Sequence, residues 1–111
     1  MKLAPIKDKK KVDTIFKKGF LIKEKSLFIK GYDFGEEESF FGVSVSKKLF
    51  KSAVDRNKIK RQLRSVVRRS RKINKVKKGL SFFIVYNTDE RLDFSEINKQ
   101  IGVLVSRLTV K

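Results

Sequence analysis

The sequence contains no cysteine and no histidine. Without cysteine there is no disulfide, no thiolate nucleophile and no zinc knuckle. Without histidine the commonest general base is missing, and a metal site would rest on carboxylates alone. Acidic residues are also few, 12 Asp and Glu against 29 Lys and Arg. They are scattered, and only Glu36, Glu37 and Glu38 cluster, in a segment that reads as a turn, where a solvated loop is the plainer role. No catalytic residue and no metal ligand is assigned on this basis. Proline occurs once, at Pro5, so there is no proline-rich linker. No internal repeat divides the chain, and residues 1–111 read as a single domain. No stretch is long and apolar enough to span a bilayer, and no lipidation motif is present. The opening Met1-Lys2-Leu3-Ala4-Pro5 lacks the apolar core of a signal peptide, which makes a cytoplasmic location the expectation.

What the chain has in abundance is positive charge, a formal +17 over 111 residues. Self-repulsion on that scale opposes the compact state, and a polyanionic partner relieves it. Nucleic acid is the leading partner and an anionic membrane surface the second. Hydrophobic residues make up 40% of the chain and include ten Phe, enough for the core of a small domain and too many for a disordered tail.

Periodicity supplies the elements. Val12, Ile15 and Phe16 at i, i+3, i+4 predict a helix over about 8–18, with Asp8 as N-cap and Gly19 ending it in a left-handed conformation. Ser26 to Tyr32 predicts a strand with Leu27 and Ile29 on one face and Phe28 and Lys30 on the other. Asp33 to Glu38 reads as a hairpin loop, and Phe40 to Ser46 as a second strand with Phe41, Val43 and Val45 on its apolar face. A loop over 47–55 leads to a helix from Arg56 to about Lys72, whose apolar stripe is Ile59, Leu63, Val66 and Val67. Lys75, Lys77, Lys78 and Gly79 make a basic turn. Leu80 to Tyr86 is a strand apolar enough to be central, and a last helix starts near Asp93 with capping-box spacing to Glu96. The order α-β-β-α-β-α predicts an α+β two-layer sandwich, a small sheet with a crossover helix between strands two and three.

The region from Ser44 to Arg64 carries the functional signal. At about 100° per residue, Asn57, Lys60, Arg61, Arg64 and Arg68 fall on one arc of the long helix. A merely solvated helix mixes Glu with Lys, yet no acidic residue occurs from Arg56 to Lys78. Guanidinium forks match phosphate geometry, and several on one face can follow a phosphate backbone.

The sequence Ser44-Val45-Ser46-Lys47-Lys48, then Arg56-Asn57-Lys58-Ile59-Lys60-Arg61 and Arg64, resembles the bacterial ribonuclease P protein family. That family opens its long helix with a basic Arg-Asn-Arg motif. The Thr14 to Gly19 segment, the Phe-Phe-Ile-Val strand and the final capped helix also agree in order, so the similarity runs from about Ile6 to Leu108. Three positions depart from the pattern. Lys58 stands where Arg is usual, Val12 where an aromatic is common in the first helix, and Lys30 where the first strand often has an aromatic.

The resemblance implies a protein subunit whose catalytic groups lie in a partner RNA that uses bound Mg²⁺. It implies contacts to that RNA from Lys47, Lys48, Arg56, Asn57, Lys58, Lys60, Arg61, Arg64 and Arg68. It also implies a cleft for the single-stranded 5′ leader of precursor tRNA, with Phe16, Lys30 and Ser44 as its residues. Tyr86, near the end of the third strand, is a further stacking candidate by its own position. Core packing is the competing role for both aromatics. A ribosomal or other structural RNA-binding protein shares the charge and size. A stand-alone nuclease would need a carboxylate cluster, and no groove-reading DNA motif is present, so DNA is not an expected partner.

Overall fold

The computed structural model describes residues 3–111; Met1 and Lys2, the start of the segment read above for a signal sequence, lie outside them. Five strands form one mixed sheet: β1 (Leu3–Pro5), β2 (Phe20–Lys23), β3 (Leu27–Asp33), β4 (Ser39–Val45) and β5 (Leu80–Tyr86). Three helices accompany it: α1 (Lys9–Lys18), α2 (Ala53–Arg69) and α3 (Phe94–Leu108). The sheet order is β1-β4-β5-β3-β2. β4 and β5 pair in parallel across the α2 crossover, as the order of elements predicts.

The strand β5 is central because it is apolar on both faces, so neither of its edges belongs at the rim. It pairs antiparallel with β3, from Leu27 opposite Tyr86 to Asp33 opposite Leu80. Its other edge takes β4, with Phe41 opposite Phe82 and Val45 opposite Tyr86. Residues 33–38 therefore do not close a hairpin: β3 and β4 are separated by β5. The hairpin in this region is β2–β3, closed by a backbone bond from Glu24 N–H to Leu27 O at 3.0 Å. Both β1 and β2 are too short for an alternating pattern to announce them.

One face of the sheet is the core. Leu27, Ile29, Phe41, Val43, Phe82 and Ile84 meet Leu63 and Val67 of α2 and Ile97, Ile101, Leu104 and Leu108 of α3. The second face carries Phe28, Lys30, Phe40, Ser44, Phe83 and Val85, all half-buried. α1 covers part of it, with the Phe16 and Phe83 ring centroids 5.2 Å apart. The helices thus lie on both sides of the sheet. Buried polar groups are satisfied: Ser39 Oγ accepts from Gly79 N–H at 3.0 Å, and Gln100 Oε1 accepts from Ser26 N–H at 2.9 Å.

Gly19 follows α1 with φ −71° and ψ 159°, an extended conformation rather than the left-handed one its position suggests. Its requirement is steric. A Cβ there would lie 2.3 Å from Ile15 O and 2.5 Å from Gly31 O, where the helix end crosses β3. Gly79 does take a positive φ of 90°, at the turn into β5.

Candidate nucleic-acid interface

α2 begins three residues before the predicted start. Ser52 caps it, its Oγ accepting from Asp55 N–H at 3.4 Å, and the helix ends at Arg69. Beyond it, residues 71–75 form a tight helical turn that buries Ile73. The buried stripe is Ile59, Leu63, Val66 and Val67, as the spacing predicts. Asn57, Arg61, Arg64 and Arg68 are exposed together, and Lys58 and Arg69 widen the exposed face. Lys60 is half-buried at the margin of that arc. Arg61, Arg64, Arg68 and Arg69 surround one open hollow.

Lys47 and Lys48 are exposed on the turn that follows β4. Two anchors hold that turn beside α2. The Phe50 ring is buried edge-on against Tyr86, at 5.6 Å. Arg56 donates from one guanidinium nitrogen to Phe50 O at 2.7 Å and Lys51 O at 2.9 Å. Arg56 therefore holds the loop in place. The acid nearest the helix start, Asp55, is paired with Arg91 at 2.6 Å.

The acidic loop is likewise occupied by lysines. Glu36 pairs with Lys11, and Glu37 with Lys78 at 2.6 Å. Lys77 bonds Asp33 at 2.7 Å, which holds the Asp33 carboxyl below the usual carboxylate range. Among the described residues, no three or more acidic side chains converge as metal ligands would.

On the second sheet face the strand register brings together Lys30 and Ser44, two of the residues the resemblance assigns to a leader cleft. Ser44 and Phe28 both stand opposite Val85, and Lys30 and Gly42 both stand opposite Phe83. Lys30 Nζ reaches Gly19 O at 3.5 Å. Phe16, 39% exposed, leans over this row from α1. Phe28 and Phe83 belong to the same surface, and the period-2 alternation of their strands was the signal for them. Tyr86 does not belong to it. Strand parity puts Tyr86 on the core face at 1% exposure, where its hydroxyl donates to Glu90 O at 2.5 Å and accepts from Leu92 N–H at 2.8 Å. Burial pushes its phenol pKa up. It is a structural residue with no face open to a base.

A small α+β domain with one helix face of a single charge sign, and an aromatic-and-lysine row on its sheet, has the electrostatic footprint of the nucleic-acid-binding class of proteins. The ribonuclease P family model matches residues 1–109, so the chain belongs to the ribonuclease P protein family. The ribonuclease P protein component of Rickettsia akari (strain Hartford) is 31% identical over 121 aligned positions, covering 96% of this chain and 98% of that protein. That of Rickettsia canadensis (strain McKiel) is 38% identical over 68 positions, about 60% of this chain. The ribonuclease P protein from Thermotoga maritima shares the fold with a TM-score of 0.78 at 24% identity, covering 93% of this chain and 96% of that one. That of Staphylococcus aureus gives 0.77 at 23% identity, with 96% and 95% covered. The chain is thus the protein subunit of a ribonucleoprotein that processes tRNA.

Proposed function

We propose that α2 and the Lys47–Lys48 turn bind the catalytic RNA of ribonuclease P, while the second sheet face holds the 5′ leader of precursor tRNA. The observation that carries this reading is the exposed face of α2, where Arg61, Arg64, Arg68 and Arg69 stand together with no acid among residues 56–78. Asn57, Lys58 and Lys60 extend it, and Arg56 positions the adjoining turn. On the other side, Phe16 stacks a base of the leader, Lys30 draws its phosphate and Ser44 offers a hydroxyl. Stacking and backbone charge carry little base information, so leader binding is sequence-tolerant. In this reading the hydrolytic groups and the Mg²⁺ they use belong to the RNA subunit, and the complex acts in the cytoplasm.

The test is precursor-tRNA cleavage at low Mg²⁺ by a bacterial ribonuclease P RNA, with and without the protein. The wild-type chain restores cleavage that the RNA alone fails to perform. Arg61→Glu with Arg64→Glu loses that rescue while its circular dichroism is unchanged. Full rescue by the double variant refutes the assignment of α2. RNA binding with no rescue by the wild type points instead to a structural RNA-binding protein, to be sought on ribosomal subunits.

A further inference from the structure

Phe94 is the first residue of α3 and is 45% exposed, whereas Ile97, Ile101, Leu104 and Leu108 farther along the helix are fully buried. It has no part in the core cluster and, among the described residues, no aromatic partner. The helix does not need it to start, because the Asp93 carboxylate accepts from Glu96 N–H at 2.8 Å. The ring instead forms one wall of a surface hollow. The other walls come from α2: Lys58, Arg61, Gln62, Ser65 and Arg69. This hollow shares Arg61, Ser65 and Arg69 with the next one along the helix, which adds Arg64 and Arg68. A cationic track therefore runs along α2 and meets an aromatic ring at its side.

The cations alone would hold the phosphates of any RNA, paired or unpaired. The ring adds something a duplex cannot use, because paired bases are already stacked within their helix. An unpaired base has a free π-face, and sequence-reading of RNA by proteins targets such splayed bases. Gln62, in the same hollow, has a side-chain amide that both donates and accepts, as a base edge requires.

We infer that Phe94 is a stacking platform for one unpaired nucleobase, in an RNA strand whose phosphates lie along Arg61, Arg64, Arg68 and Arg69. The inference rests on the reading of α2 as an RNA-binding face, and it specifies the RNA there as a strand with an unstacked nucleotide. The platform is separate from the Phe16–Phe83 surface, since α3 packs on the core face of the sheet and α1 on the other.

The chain has no tryptophan, so Phe94→Trp places a single indole reporter in the full-length protein. Two dye-labelled probes of equal length and charge are compared, a short oligoadenylate and the same backbone made abasic at every sugar. Anisotropy reports binding of each, and indole emission reports stacking. The expected result is saturable quenching by oligoadenylate and little by the abasic strand. In a second variant, Phe94→Leu, apolar bulk remains but stacking is lost. Its affinity for oligoadenylate is expected to fall roughly fivefold or more, the lower end of one base–aromatic stack, with abasic binding unchanged. Equal quenching by both probes, or oligoadenylate binding without quenching and without loss in Phe94→Leu, overturns the platform and leaves the α2 reading standing. If neither probe binds, the platform also falls, and the cleavage rescue described above decides the α2 reading separately.

Discussion

Tyr86 and Phe16 show how the face of the sheet on which an aromatic side chain lies decides what it can do. Both are aromatic residues beside the sheet, yet Phe16 is 39% exposed and Tyr86 is 1% exposed with both hydroxyl partners inside the fold. Removing that hydroxyl leaves Leu92 N–H and Glu90 O without their partner. Tyr86→Phe is expected to lower unfolding free energy by about 1–3 kcal/mol in a denaturant titration, with RNA affinity unchanged. A drop in RNA affinity at constant stability would return Tyr86 to the binding surface. The same burial raises its phenol pKa above the ordinary 10.0. The folded state keeps a proton that the unfolded chain releases, so this contribution is complete below pH 10 and is lost as pH rises through the higher folded value.

The elements were legible in proportion to how much of their character is periodic. The apolar stripe of α2 is the one burial reproduces, β5 takes the central place its apolar run predicts, and the Asp8 and Asp93 caps are where their sequence places them. Topology was less legible. Consecutive strands suggest a hairpin, and nothing local in residues 33–38 records that a strand from 80–86 will lie between β3 and β4. The short β1 and β2 earn their strand state from pairing alone. The interface followed the same division. The cations of α2 were visible as a helical arc, while the hollow between Phe94 and that helix exists only once α2 and α3 are packed together. Gly19 is the joint between α1 and the sheet, and its requirement comes from a contact, not a dihedral angle. Gly19→Ala is expected to lower the thermal midpoint, because a Cβ 2.3 Å from Ile15 O and 2.5 Å from Gly31 O forces two backbone segments apart. Native-state hydrogen exchange in α1 checks it, with faster exchange there than in α3. An unchanged midpoint would mean that α1 shifts freely on the sheet.

At the scale of the whole molecule, a formal charge of +17 is confined within a radius of gyration of 13.1 Å. The ion pairs engage Asp33 at the end of β3, Glu36 and Glu37 in the loop after it and Asp55 in the first turn of α2, and among the described residues none of them reaches Arg61, Arg64, Arg68 or Arg69. Anions that gather on the folded surface stabilise it by mass action. Sulfate is expected to raise the thermal midpoint more than chloride at equal ionic strength, and low salt to give partial loss of the circular dichroism signal. A midpoint insensitive to both salts would show that the charge is tolerated without a partner. Affinity for RNA is expected to fall with salt, with a log–log slope of about 0.7–0.9 per phosphate neutralised.

The position of β5 between β3 and β4 also bears on how the chain is made. Synthesis delivers both flanking strands and the whole of α2 before residues 80–86 exist. Until those seven residues leave the ribosome, the facing edges of β3 and β4 have no partner. A nascent chain arrested before that point presents two open strand edges, the template for pairing with other chains, and a cationic helix lacking its sheet. Closure of the domain thus waits on translation of its final third.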